Sequence, residues 1–268
     1  MRRWSDAEVW HAVRFEEVMR AGRTSPLLLE CMSRISNPRA RKRLVTKAIG
    51  LPEVHDFTLA HELIGSRLAR LFGLSAPAAH VISIDPDFIE AARPEFAAAR
   101  LQIEPGLAVG TEFIPDLMPF PIPVRLIDER EVYDAAAIYT FDLLTQNPDR
   151  SVKNPNCGRA LRGIAVYDFE TAFSFRFAVP RHDAWRVAAL PFATSHLLNP
   201  SLRRASVDWP MVFAPFRQVP ASSLAEACST IPGRWSHIGD EILDHLTSVY
   251  DHWSEFEQEI TKSLESSS

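Results

Sequence analysis

Asn147-Pro148-Asp149-Arg150-Ser151-Val152-Lys153-Asn154-Pro155-Asn156, followed shortly by Ile164-Ala165-Val166-Tyr167-Asp168-Phe169-Glu170, is the stretch around which the chain is organised. An aspartate is followed five residues later by an asparagine, and an apolar, strand-like run then ends in Asp168-Phe169. Taken singly, Asn147-Pro148-Asp149 is a turn and Asp168 merely ends a strand, as any globular protein could supply. Together they place a carboxylate, an amide oxygen and a second carboxylate after a helix-like run from Asp134 to Leu144 and around a Val/Ile/Tyr strand.

That order and spacing match the catalytic loop and metal-binding aspartate of kinases. In phosphoryl transfer one carboxylate orients the acceptor hydroxyl, while an amide oxygen and a second carboxylate hold magnesium against the nucleotide phosphates. Asp149 fits the first role, and Asn154 and Asp168 fit the second.

Upstream, Ser5 with Glu8 makes a capping box for a short helix near Asp6. The run from Val13 through Arg20-Ala21-Gly22-Arg23-Thr24-Ser25-Pro26 to Leu27-Leu28-Leu29 reads as strand, tight loop, strand. The loop either covers nucleotide phosphates with its backbone N–H groups and the Thr24 and Ser25 hydroxyls, or is a plain hairpin turn. A third strand, Leu44 to Ile49, carries Lys47 among apolar neighbours, and a lysine in such a strand needs a reason for burial. Either its head snorkels to water or it steadies the nucleotide phosphates. Glu62 favours the second reading. It follows Lys47 by fifteen residues on a helix whose apolar positions run from Phe57 to Phe72, which Asp56 caps and Gly73 terminates.

Ala79 to Ile84 and Leu107 to Ile114 read as further strands, separated by a helical excursion interrupted at Pro94. Pro115, Pro119, Pro121 and Pro123 then break regular structure and mark a lobe boundary, so an adenine ring would meet the backbone around Glu112, Phe113 and Ile114. The remainder reads as helical: Asp128 to Leu144, Arg181 to Leu198, Leu224 to Cys228 and Ile238 to Ser263, with a frayed Glu-Ser-Ser-Ser tail.

Composition bounds the alternatives. A chain of 268 residues accommodates one two-lobed domain or two small ones. The net charge of -5 gives no overall drive toward nucleic acid or anionic membrane, and the Arg39–Arg43 basic cluster reads as a solvated hairpin tip. No apolar run is long enough to span a membrane, which suggests a cytoplasmic protein. Three scattered cysteines argue against disulfides and structural zinc, and nine histidines show no His-Glu-x-x-His spacing.

With Lys47, Glu62, the Asn147–Asn156 loop and Asp168 in place, the chain resembles the HipA-like kinases, in particular the compact bacterial branch whose loop reads Asn-x-Asp-Arg-x-x-x-Asn-Pro-Asn. The likeness extends to Thr24-Ser25-Pro26-Leu27-Leu28-Leu29, Glu62-Leu63-Ile64, Ile84-Asp85-Pro86 and Gly110-Thr111-Glu112-Phe113. It implies an α+β, protein-kinase-like two-lobed fold across residues 1–268. The β-rich N-lobe with one long helix would cover about 1–114, the hinge and linker about 111–124, and the mostly helical C-lobe about 125–268. It implies ATP and Mg²⁺ as cofactors, Lys47 and Asp149 as catalytic residues, Lys47, Glu62, Thr24, Ser25, Glu112, Phe113 and Ile114 at the nucleotide, and Asn154 and Asp168 at the metal. The acceptor expected is a protein Ser or Thr; a small-molecule or lipid kinase and a nucleotide-binding pseudokinase are the alternatives. The family's namesake is a toxin that works beside a DNA-binding antitoxin; the sequence here does not show the extra N-terminal region expected of full-length members, so an antitoxin-like partner is possible but not supported by the sequence. Glu170 stands where many kinases have the glycine of Asp-Phe-Gly.

Overall fold

The first three strands are β1 (Trp10–Val18), β2 (Leu27–Ser33) and β3 (Arg41–Lys47), paired antiparallel in that order. In β2 Leu27, Leu28 and Leu29 are all fully buried, so its apolar residues run consecutively instead of alternating. The computed structural model describes residues 9–19, 24–33, 40–120, 127, 129–161, 163–179 and 182–265. The expected Ser5–Glu8 helix start, the tip of the β1–β2 loop and the last three residues lie outside the described residues.

After β3 comes the helix α1 (Asp56–Leu71), then β4 (Ala79–Ile84), the short helices α2 (Pro86–Ala91) and α3 (Arg93–Ala99), and β5 (Gly106–Glu112). Pro94 lies in the first turn of α3, where its missing N–H costs no hydrogen bond. β5 inserts between β3 and β4, and β4 closes on β1 at Trp10–Ile82 and His11–Ser83, giving a closed barrel in the order β1-β2-β3-β5-β4. Closure satisfies the backbone groups that an open sheet would leave at its edges.

The chain continues through β6 (Met118–Pro119), α4 (Val132–Leu144), β7 (Cys157–Ala160) and β8 (Gly163–Val166), then α5 (Pro191–Ser195), α6 (Asn199–Leu202), α7 (Trp209–Arg217), α8 (Ala221–Ser229), α9 (Ser236–Asp251) and α10 (Trp253–Glu265). Strands β6, β7 and β8 form a separate antiparallel sheet. The architecture is thus mixed α+β, strand-rich in its first part and helix-rich in its second. The apolar core is one contiguous cluster that runs through both parts.

Helix α1 joins them. It packs on β4 and β5 on one side and on α8 and α9 on another, which explains why Leu59, Ala60, Leu63, Ile64 and Leu68 are all fully covered. The N-cap of α1 is His55 rather than Asp56; its N–H donates to the Thr58 hydroxyl over 2.9 Å. Gly73 does end the helix, with φ +80°, a conformation a side chain would strain. Gly65 matters for another reason. A Cβ there would stand 2.4 Å from the Phe169 Cβ, so only glycine lets the segment after β8 lie directly against α1.

Three helical expectations are corrected. Residues 182–190 run in turns, with Arg186 N–H donating to Asp183 O and Leu190 N–H to Val187 O, and helix begins only at Pro191, whose fixed φ starts a turn. The C-terminal run breaks at His252. The break turns Trp253 against Tyr250 and Phe256, with ring centroids 5.0 and 5.3 Å apart, so aromatic packing overrides an otherwise helical sequence. Helix α4 begins at Val132 behind a 3-10 turn, later than Asp128.

Candidate active site

β3 ends on Lys47 and α1 presents Glu62 toward it, so the two meet inside the protein at 6% and 3% exposure. Lys47 Nζ donates to Glu62 Oε2 over 3.1 Å and to Asp168 Oδ1 over 2.5 Å. It is also ion-paired with Glu170 Oε2 at 2.7 Å. Glu62 Oε2 in turn accepts from the Phe169 N–H over 3.0 Å, tying α1 to the end of β8.

These charges reshape one another. Burial alone would lower the Lys47 ammonium, but Glu62, Asp168 and Glu170 together raise it above its ordinary value. Burial raises Glu62 despite Lys47, and burial together with Asp168 pushes Glu170 up to about 7 against the pull of Lys47. Asp168 adopts φ 63°, a left-handed backbone that aspartate tolerates better than most residues and that is sparsely populated outside functional turns.

The loop after α4 is held from beneath. Arg150, 1% exposed, donates through Nε to Asp142 Oδ2 over 2.5 Å and through Nη2 to Asp142 Oδ1 over 3.2 Å. The same guanidinium donates to the Asn156 carbonyl. Asp142 also accepts from Asn147 Nδ2 over 3.0 Å. Its third partner is His196. The His196 Nδ1 accepts from Leu198 N–H over 3.1 Å, so Nε2 carries the proton and donates to Asp142 over 2.9 Å.

Upon this base Asp149 Oδ2 accepts from Asn154 Nδ2 over 2.7 Å and from Asn156 Nδ2 over 3.3 Å. The Asn156 carbonyl accepts from the Tyr167 N–H over 3.1 Å, which connects the Asp149 loop to the residue preceding Asp168. With its amide nitrogen committed to Asp149, Asn154 keeps its carbonyl oxygen as an acceptor.

A cavity of about 230 Å³ opens beside this cluster. That is far more than one water molecule needs, so there is room for a ligand. Lys47, Glu62 and Asp168 are its charged lining; Val45, Pro77 and Leu117 are among the apolar walls; Glu112, Phe113 and Ile114 also line it. The Glu112 and Phe113 N–H groups are taken by the Ala78 and Arg43 carbonyls, while among the described residues nothing accepts the Ile114 N–H. The Glu112 carboxylate is engaged with Lys42 and His80. From the β1–β2 loop Met19 and Pro26 reach the cavity wall. Thr24 and Ser25 do not: Thr24 is buried, and Ser25 takes a left-handed φ of 47°.

The sequence reading assigned no role to Asp142, His196 or His61. Asp142 had a visible signal, because it sits in the otherwise apolar end of α4, and a carboxylate there requires a cation and donors. His61 gave none. Its Nε2 accepts from Arg176 over 2.8 Å, so Nδ1 carries the proton and donates to the Glu170 carbonyl over 3.0 Å, fixing the segment after Asp168 against α1.

Burial pushes His61 and His245 each down to about 4, below the ordinary value of 6.5. The unfolded chain therefore binds more protons than the native protein between those values, so stability is full above about pH 6.5 and falls as pH drops toward 4. Urea midpoints measured from pH 7 to 4.5 should fall progressively. His245→Gln, whose amide can still donate to the Leu144 carbonyl, should show a shallower fall; an identical slope would reject the assignment.

The family model described as HipA-like kinase matches residues 47–263. Among solved structures the chain is similar to the Helicobacter pylori proinflammatory kinase CtkA, at TM-score 0.53 and 12% identity, covering 95% of this chain and 97% of that one. The similarity in fold thus extends over almost the whole length of both. No curated protein sequence matches the chain. Among the described residues no helix is long and apolar enough to cross a membrane.

Proposed function

We propose that this chain, which belongs to the HipA-like kinase family, transfers the γ-phosphoryl group of ATP to the hydroxyl of a protein serine or threonine. The observation that carries the reading is the convergence of Lys47, Glu62 and Asp168 on one cavity, with the Asp149–Asn154 pair linked to its Tyr167 wall through Asn156. Lys47, kept in place by Glu62, binds phosphate oxygens. The adenine edge lies against the backbone at Glu112 to Ile114, where the Ile114 N–H is the available donor. Among the described residues of the β1–β2 loop, Met19 and Pro26 line the cavity.

The donor set suits magnesium: Asn154 offers a neutral amide oxygen and Asp168 a carboxylate, both hard ligands, in a cluster with more carboxylates than cations. Asn154 and Asp168 would hold the ion, which when bound neutralises charge on the phosphates. Asp149 aligns the acceptor hydroxyl. As the acceptor oxygen bonds to the γ-phosphorus and the bond to the ADP oxygen breaks, the hydroxyl proton passes to Asp149.

Mg·ATP at about a hundred times its Kd should add about 2.7 kcal/mol to native stability, because only the folded state binds it. The melting temperature should rise by roughly 5–10 °C for a chain of this size. Asp168→Ala should lose the magnesium-dependent part. Absence of stabilisation by any nucleotide would overturn the kinase reading. The acceptor is tested with γ-labelled ATP and a cell lysate: label on protein Ser or Thr supports the proposal, and label confined to lipid or small metabolites moves the acceptor class. Nucleotide binding with no transfer at all would mark a pseudokinase.

A further inference from the structure

Glu170 occupies a position that the mechanism above leaves idle. Its side chain is nine-tenths buried, and the one group that meets its Oε2 is the Lys47 ammonium, 2.7 Å away; no other donor among the described residues reaches that oxygen. A buried carboxylate that depends on one ammonium becomes costly when that ammonium turns elsewhere, unless another cation or donor takes its place. The other two carboxylates around Lys47 are provided for: Glu62 takes one ammonium bond and the Phe169 N–H, and Asp168 takes the shortest ammonium bond.

The local charges sharpen the point. Glu62, Asp168 and Glu170 surround a single lysine, so the fully ionised cluster carries two negative charges more than Lys47 neutralises. One divalent cation balances that excess. Among the described residues no three carboxylate, histidine or cysteine side chains stand at metal-ligand spacing, and here the Lys47 ammonium occupies the space between Asp168 and Glu170. A nucleotide phosphate offers Lys47 other acceptors while Glu62 keeps its own bond. Asp168 and Glu170 are then left facing one another without a cation.

We propose that Glu170 supplies a third oxygen ligand, beside Asn154 and Asp168, to the divalent cation of the nucleotide site once Lys47 has moved its contacts from these carboxylates to phosphate. The proposal rests on the kinase reading. A glycine at this position would offer no side-chain ligand, so Glu170 gives the site more ligand charge and hence tighter cation binding. His61 and Gly65 support the geometry, the first by holding the Glu170 carbonyl and the second by letting Phe169 lie against α1.

The test uses Mn²⁺ as the probe, titrated into the full chain with a saturating non-hydrolysable ATP analogue, with free Mn²⁺ read from its electron paramagnetic resonance signal. Glu170→Gln should weaken Mn²⁺ binding by about tenfold or more, and Glu170→Asp, which keeps the charge but shortens the reach, by less. In EDTA without nucleotide Glu170→Gln should melt no lower than wild type, because it removes repulsion from Asp168. Mn²⁺ affinities equal to wild type in both variants would overturn the proposal, as would a drop in EDTA melting temperature with unchanged Mn²⁺ affinity, the mark of a purely structural partner for Lys47. Failure of the kinase reading looks different: wild type itself would not bind the analogue at any Mn²⁺ concentration.

Discussion

Asp149→Asn is expected to leave nucleotide binding close to wild type while lowering phosphoryl transfer by about a hundredfold or more, the scale of a positioned general base. The substitution is nearly isosteric. An amide oxygen at this position can still accept from Asn154 and Asn156, as Asp149 Oδ2 does over 2.7 and 3.3 Å, so the loop keeps its shape. What is lost is the capacity to take the hydroxyl proton, which acts in the transition state and contributes little to holding ATP. Separate measurements of nucleotide Kd and single-turnover transfer check this. Equal transfer rates in the two proteins would reduce Asp149 to a turn residue.

The pieces of the site that could be read in the sequence are those where a polar residue breaks an apolar pattern at a spacing with chemical meaning. Lys47 in an apolar strand and Glu62 fifteen residues on were legible in this way, and they meet in the folded chain at 3.1 Å. Asp142 broke the pattern of α4 just as clearly, but its partners Arg150 and His196 lie eight and fifty-four residues away, and nothing in local spacing joins them. The strands of the barrel were visible from their apolar runs. Its closure was not, because the β1–β4 contact rests on two residue pairs and leaves no periodic trace. The turns at 182–190, where helix was expected, have the same origin, since tertiary contacts such as the Ala188 N–H bond to Glu259 outweigh helix propensity. For the β1–β2 loop the sequence offered a phosphate cover through Thr24 and Ser25 or a plain turn; among the described residues Thr24 is buried, and Met19 and Pro26 line the cavity.

Arg150→Met is expected to destabilise the protein by about 3–5 kcal/mol, because removing one partner of a buried pair leaves the other charge uncompensated. For a chain of this length that is a fall of roughly 6–20 °C in melting temperature. Burial alone would raise Asp142, but the Arg150 charge and the His196 hydrogen bond hold its carboxyl below the usual range. Its contribution is therefore present above the unfolded carboxylate value near 4 and is lost only as pH falls through the depressed native value. Without Arg150 that depression goes, and acid lability should begin at higher pH than in wild type. The exposed pair Arg217–Glu257 provides the contrast, since Arg217→Ala there should cost about 0–1 kcal/mol despite similar geometry. Arg150 also donates to the Asn156 carbonyl, and Asn156 donates to Asp149, so the same substitution should slow transfer in the fraction that remains folded. Chemical denaturation of the two variants beside wild type decides the matter. An Arg150→Met cost no larger than that of Arg217→Ala would mean that the catalytic loop is held by the Ser151–His196 bridge and the Leu197 N–H bond to the Arg150 carbonyl, rather than by the buried charge pair beneath it.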